Sequence, residues 1–184
     1  MDATLNQEIA KKNAAMAIEK HHQKLVLILD DLTKNYRALL EIVRKEKECL
    51  VHAEIEELSK SNKEKEILLH RLKSMDVQRD RCARELAHLL GANDQNPRLL
   101  ELALKCEGQF GNKLRTSHAT LELLIKRITE LNKENEIFAK SALDHLNGAM
   151  NNIKDSLAGA KGYEKRGRST RGFENSGNIV RKEI

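Results

Sequence analysis

Ile18, His22, Leu25, Leu29, Leu32, Tyr36, Leu39 and Val43 recur at alternating steps of four and three, and after Glu46 the rhythm resumes at Leu50 and Ala53. That alternation is the signature of an amphipathic helix packed as in a coiled coil. It predicts a first long helix over about 18–53. A second rhythm runs from Ile55 and Leu58, through the polar "SKSNKEKE", into Leu68, Leu72, Met75, Arg79, Cys82, Leu86 and Leu89. It predicts a helix over 54–90. "GANDQNP" (91–97) is the strong breaker: its glycine can end a helix, and Asn96-Pro97 suits a restart. A short apolar helix, "RLLELALKC", follows, with a weaker interruption at Gly108 and Gly111. The third long helix is expected over 112–160, stopped by Gly159 and Gly162.

This third helix carries two apolar stripes out of phase. Leu121, Leu124, Ile128, Leu131, Asn135 and Phe138 form one; Leu143, Leu146, Met150, Ile153 and Leu157 form another, one residue out of step. Such a slip turns the apolar face by roughly 100°. The two halves therefore need not face the same partner.

No glycine or proline lies between residues 18 and 90. A single helix of that length would exceed about 100 Å, and a lone chain gains more by folding it back. A turn centred between Ile55 and Glu56 makes Glu46 and Lys65 equidistant from it, so the two would meet across an antiparallel hairpin. The carboxylate in the apolar seam is then a paired charge. Such a pair contributes little net stability but penalises slipped registers. Without the pair, Glu46 would sit in a hydrated stretch of the seam. The expected fold is all-α: an elongated antiparallel bundle or coiled coil of three long helices with a short linking helix. Residues 1–17 form a polar N-terminal extension, 18–160 the helical domain, and 161–184 a flexible basic tail.

Composition fits this picture. Charged residues make up 33% of the chain and aromatics 3%, with a single proline, so Leu, Ile and Ala must supply a long, thin core. The net charge of +5 is concentrated in the tail, where seven Lys and Arg stand against three Glu over 161–184. Cys49, Cys82 and Cys106 are odd in number and widely spaced, which fits reduced cytosolic thiols. "MDATLNQEIA" lacks the pattern of a signal peptide, and the longest aliphatic run, Leu25–Leu29, is far too short to span a bilayer. A soluble intracellular protein without membrane insertion is expected.

Two Glu-x-x-His units, Glu19 with His22 and Glu85 with His88, raise the possibility of a carboxylate-bridged di-iron bundle enzyme. That site needs two more inward glutamates; Glu101 and Glu107 lie outside any long regular helix, and Glu19 and Glu85 flank the seams. In so glutamate-rich a chain two such pairs arise by chance, so no metal and no cofactor is expected. The tail mixes Arg and Gly with Tyr163 and Phe173, but reads as a disordered solubilising or docking segment rather than a nucleic-acid contact. No phosphate loop, nucleophile elbow or zinc spacing occurs. The chief rival to a hairpin is a homodimeric coiled-coil scaffold, with 18–90 pairing between chains.

"LLEIVRKEKECL", "EIEELSKSNKEKEILLHRL" and "RDRCARELAHLLG" together resemble the FlgN family of flagellar type III export chaperones. The matching positions are Glu46, Leu50, Glu54, Leu58, Lys65, Leu68 with Leu69, Arg79, and Leu90 with Gly91. Asn132 and Asn135 in "LNKENEIFAKSALDHL" are similar to the family's paired asparagines, and "YEKRG" to the Tyr-x-x-x-Gly that closes many of its chains. The resemblance covers most of residues 25–167; residues 1–20 and 168–184 depart from the pattern. It implies a non-enzymatic cytoplasmic chaperone, monomeric or weakly homodimeric, that acts transiently at the inner-membrane export apparatus. Its clients would be the C-terminal helical segments of the hook–filament junction proteins, delivered to the cytoplasmic domain of the export gate. The out-of-phase stripe Leu143, Leu146, Met150, Ile153 and Leu157 is the candidate client surface, and Tyr163 the candidate gate-docking residue.

Overall fold

The computed structural model describes residues 2–92, 95–106 and 108–160. Four helices account for almost all of them: α1 (Asp2–His52), α2 (Ile55–Leu89), α3 (Leu99–Lys105) and α4 (Gly108–Ala160). The chain divides into two compact units, 1–136 and 137–184. The first contains α1, α2, α3 and α4 as far as Glu136; the described part of the second is the rest of α4.

Within the first unit, cross-helix contacts set the directions. Glu46 meets Lys65, Asn35 meets Met75, and Cys82 reaches the His21 carbonyl, so α2 runs antiparallel to α1. His22 stacks on Phe110 and Val43 binds Asn135, so α4 runs parallel to α1. The result is an up-down-up bundle. Leu25, Leu29, Leu32, Leu39, Val43, Cys82, Leu86, Leu102, Leu114 and Leu131 are buried in its core. The seam residues of α1 stay apolar because they line this core. Asn35, Leu40 and Cys49, off the main rhythm, are also buried, since α1 contacts more than one neighbour.

α1 starts at Asp2, well before the first apolar seam residue. Residues 6–9 and 11–16 are exposed, so packing does not hold this part in place. Its Ala, Lys, Gln and Glu are strong helix formers with no breaker among them. The apolar rhythm marks where packing begins, not where the helix does. Several seam candidates, Ala53 and Leu89 among them, are exposed rather than in the core. Ile55 opens α2 at the edge of the turn and is 70% exposed, and Phe138 lies beyond Glu136 and is 45% exposed.

The hairpin turns at Ala53–Glu54, two residues before the centre that sequence symmetry suggests. Ala53 donates to the Leu50 carbonyl (3.4 Å) and Glu54 to that of Cys49 (2.9 Å), the paired bonds of a Schellman end. That end needs a left-handed residue, and Ala53 supplies it at φ 56°. α2 ends in the same way, with Gly91 at φ 62° donating to His88 (3.2 Å) and Ala92 to Ala87 (2.8 Å). The first site uses alanine where the second uses glycine, and alanine is strained there. Ala53→Gly should therefore raise stability by about 0.5–1 kcal/mol, after the looser unfolded chain is allowed for. Urea titration should show a higher midpoint at an unchanged slope.

α3 lies against the start of α4 through a glycine. A side chain at Gly111 would collide with the backbone carbonyl oxygens of Ala103 and Cys106, which no rotamer change can relieve. Arg115 Nη1 donates to the Ala103 carbonyl (3.4 Å), and Lys105 Nζ to that of Gly91 (3.1 Å). The connector between α2 and α4 is thus held by the burial of Leu102 and Ala103, one close approach and a few polar ties.

Candidate functional site

Near the hairpin turn the core becomes polar. Lys65 Nζ donates to Glu46 Oε2 at 2.7 Å and to Asn132 Oδ1 at 2.8 Å, linking α1, α2 and α4. One helical turn along, Asn135 Nδ2 donates to the Val43 carbonyl at 3.0 Å. The Glu46 side chain is 5% exposed and that of Lys65 22%, so this pair is far more desolvated than the bundle's other ion pairs. Lys47 with Glu134 (2.6 Å) and Lys45 with Glu57 (3.5 Å) are half-exposed and worth little.

Although the turn sits earlier than the symmetric placement, the pair still meets. Helical side chains lean toward their own N-terminus. Lys65 therefore reaches down α2 toward the turn while Glu46 leans up α1 away from it, which brings the two groups closer in level. Ser61 is fully buried as well, seven residues after Glu54 as Glu46 is seven before Ala53. It lies within the apparently all-polar "SKSNKEKE". Its signal was the unbroken rhythm Leu58, Ser61, Lys65, Leu68, Leu72, which carries the seam through that segment.

The second stripe of α4 lies beyond the bundle's unit. Leu143 is 59% exposed, Leu146 62%, Met150 55%, Ile153 60% and Leu157 62%. At helical spacing these five make one continuous apolar face on a formed helix. Tyr163, the gate-docking candidate, lies outside the described residues.

The titratable groups elsewhere have separate partners. Glu19 accepts from Gln23 (3.2 Å), His22 stacks on Phe110 with ring centroids 4.0 Å apart, and Glu85 faces Arg81 (3.1 Å) and His21 (3.6 Å). The two Glu-x-x-His units do not converge, and among the described residues no group of three or more His, Cys, Asp or Glu could hold a metal ion. Burial pushes the Cys82 and Cys106 thiols up from their ordinary pKa, and all three cysteines are buried and unpaired. These are inert thiols rather than nucleophiles. A groove of about 530 Å³ opens among Leu32, Tyr36, Arg79, Leu99, Leu121 and Ile125. At its rim Asp76 pairs with Arg79 (2.7 Å), Glu122 lies 3.8 Å from His118, and Lys126 stands beside them. No helix among the described residues is long and apolar enough to cross a membrane.

The family model described as FlgN protein matches residues 16–171, which takes in the whole polar layer and the exposed stripe. No curated protein and no solved structure matches the chain. With most of its length matched by that model, the chain belongs to the FlgN family, whose members are flagellar export chaperones rather than enzymes.

Proposed function

We propose that the chain uses Leu143, Leu146, Met150, Ile153 and Leu157 to hold the C-terminal helical segments of the hook–filament junction proteins in the cytoplasm, and delivers them to the cytoplasmic domain of the export gate. The observation that carries this reading is the exposure of all five side chains, each above half, on a regular helix. An amphipathic helix of the client can lie along this face, its own apolar positions alternating with these. Met150, unbranched and adaptable, suits a surface that takes more than one client sequence. Gate docking is assigned to Tyr163, whose ring offers contact area and whose hydroxyl offers a hydrogen bond. Lys165 and Arg166 beside it would steer it toward an acidic surface.

Calorimetric titration of the full chain with the junction proteins' C-terminal segments tests the reading. Micromolar or tighter binding with a negative heat-capacity change is expected. A chain ending at Lys140 should stay helical, unfold cooperatively and bind nothing. Collapse or aggregation of that shortened chain would mean that the stripe is core, and the client surface would then lie elsewhere. Tyr163→Ala should weaken binding to the gate's cytoplasmic domain and leave client binding unchanged; equal gate affinity for both chains would remove Tyr163 from the scheme.

A further inference from the structure

His22 lies in the α1 seam at the point where the end of α2, the C-terminal end of α3 and the first turn of α4 come together. It is 1% exposed, and neither ring nitrogen has a hydrogen-bond partner of normal geometry; the backbone of Phe110 is the nearest polar support. Its ring stacks on Phe110 at an interplanar angle of 54°. Beside it is a cavity of about 320 Å³ lined by Ala15, Ile18, Glu19, Leu90, Cys106 and Phe110, with Lys105 at its edge.

We propose that His22 is a pH-sensitive latch, whose protonation in mildly acid solution frees α3 and Cys106 from α1 while the α1–α2 seam stays closed.

The surroundings favour a neutral imidazole. Lys113 of α4 repels a cation there, Lys105 of α3 adds to the positive field, and the N-terminal end of α4 contributes its dipole. From the end of α2 the cavity is lined by the capping residue Leu90, while Glu85 faces His21 and Arg81. On α1 the one nearby acid is Glu19, exposed and bonded to Gln23. Cys106, weakly acidic and buried, adds no charge. Among the described residues, a proton on His22 would therefore be buried without a counter-ion. A proton on His21, by contrast, would face Glu85.

Burial first, and Lys113 after it, hold the His22 pKa below its ordinary 6.5, with the Phe110 backbone partly opposing. In the closed state His22 thus binds protons more weakly than when the connector is open. Closure is at full strength above pH 6.5 and weakens as pH falls from there toward the lowered value. The opening is local because the connector has far fewer core residues than the α1–α2 seam: Leu102, Ala103 and Cys106, with Leu99 packed against them. α3 has seven residues and buries Leu102 and Ala103, whereas the α1–α2 seam continues for many turns.

Cys106 reports the opening, with Cys49 near the hairpin turn as an internal reference. Both are labelled in the full chain with dithiodipyridine, which reacts in acid, and each rate is divided by that of the urea-unfolded chain at the same pH. Between pH 6.5 and about 5.5 the normalised Cys106 rate should rise by up to about fivefold, while that of Cys49 stays flat. In His22→Phe, which keeps a ring against Phe110, the Cys106 rate should not change with pH; in His21→Gln it should change as in the parent. If His22→Phe does not fold, His22→Met serves in its place. A parent chain whose Cys106 rate stays flat overturns the latch. So does equal exposure of Cys49 and Cys106, which would be global unfolding, or a pH response that survives replacement of His22.

Discussion

Lys65→Met should destabilise the bundle by about 3–5 kcal/mol, although methionine keeps most of the lysine stem and its packing. The loss comes from what remains behind. Glu46 stays buried at 4% exposure with no cation, and Asn132 loses the donor that ties α4 to the hairpin. Neither group can turn to water without opening the seam. Replacing both charges, Glu46→Leu with Lys65→Leu, removes the desolvation cost along with the attraction. That chain should be as stable as the parent or more so. A double-mutant cycle by urea unfolding should give a coupling of a few kcal/mol. Additive single effects would mean that the two side chains do not act on each other, and the polar layer would lose its role as a register lock. The register penalty has its own signature. The doubly apolar chain should unfold with a changed slope, because slipped pairings of α1 and α2 become competitive once no charge has to find its partner.

Leu146→Asp, and separately Ile153→Asp, should reduce client affinity by at least about a hundredfold while leaving the unfolding midpoint of the free chain unchanged. Five apolar side chains at roughly 1.5–3 kcal/mol each, matched by the client's own stripe, can supply micromolar affinity after the cost of association. A carboxylate placed in that contact has no partner, and burying it costs several kcal/mol, at about 1.4 kcal/mol per tenfold in affinity. In the free chain both positions are largely exposed, so the same substitutions meet water and cost little. Asn152→Asp adds the same charge on the far side of the helix and should leave affinity within a few-fold of the parent. Equal losses from Ile153→Asp and Asn152→Asp would point to general charge repulsion instead of a defined face. A drop in stability from Leu146→Asp would show that the stripe is already covered in the free protein.

Much of the bundle could be read from period alone, because the seam of a long helix repeats often enough for a single odd residue to stand out. Glu46 does so, and its partner Lys65 follows from the geometry of an antiparallel hairpin. The turn itself was less legible. A left-handed glycine would have marked it, but Ala53 carries no such label, and symmetry about an estimated centre was two residues off. Ser61 was hidden for a related reason. A small hydroxyl among charged residues looks solvated, and only its place in the step of three and four reveals that it faces inward. His22 was legible as a seam position but not as a junction residue. Its neighbours Cys106 and Phe110 come from segments whose packing no periodicity describes. The start of α1 was missed because helix propensity without burial leaves no apolar pattern.

The strained alanine at the hairpin bears on which chain supplies each helix. Only Ala53, at φ 56°, and Glu54, at φ −83° and ψ 74°, separate α1 from α2, and no glycine or proline from 18 to 90 would otherwise interrupt a helix. If Ala53 relaxed to a right-handed conformation, the two helices would fuse into one rod. Every contact between them, the Glu46–Lys65 pair included, could then re-form between two copies of the chain. Short connections under strain are where such domain exchange begins. The polar layer selects the register of α1 against α2 but is indifferent to whether they share a chain. The choice between a folded-back chain and an exchanged dimer therefore turns on one backbone angle and on protein concentration, and a β-branched residue at position 53 should shift it toward exchange.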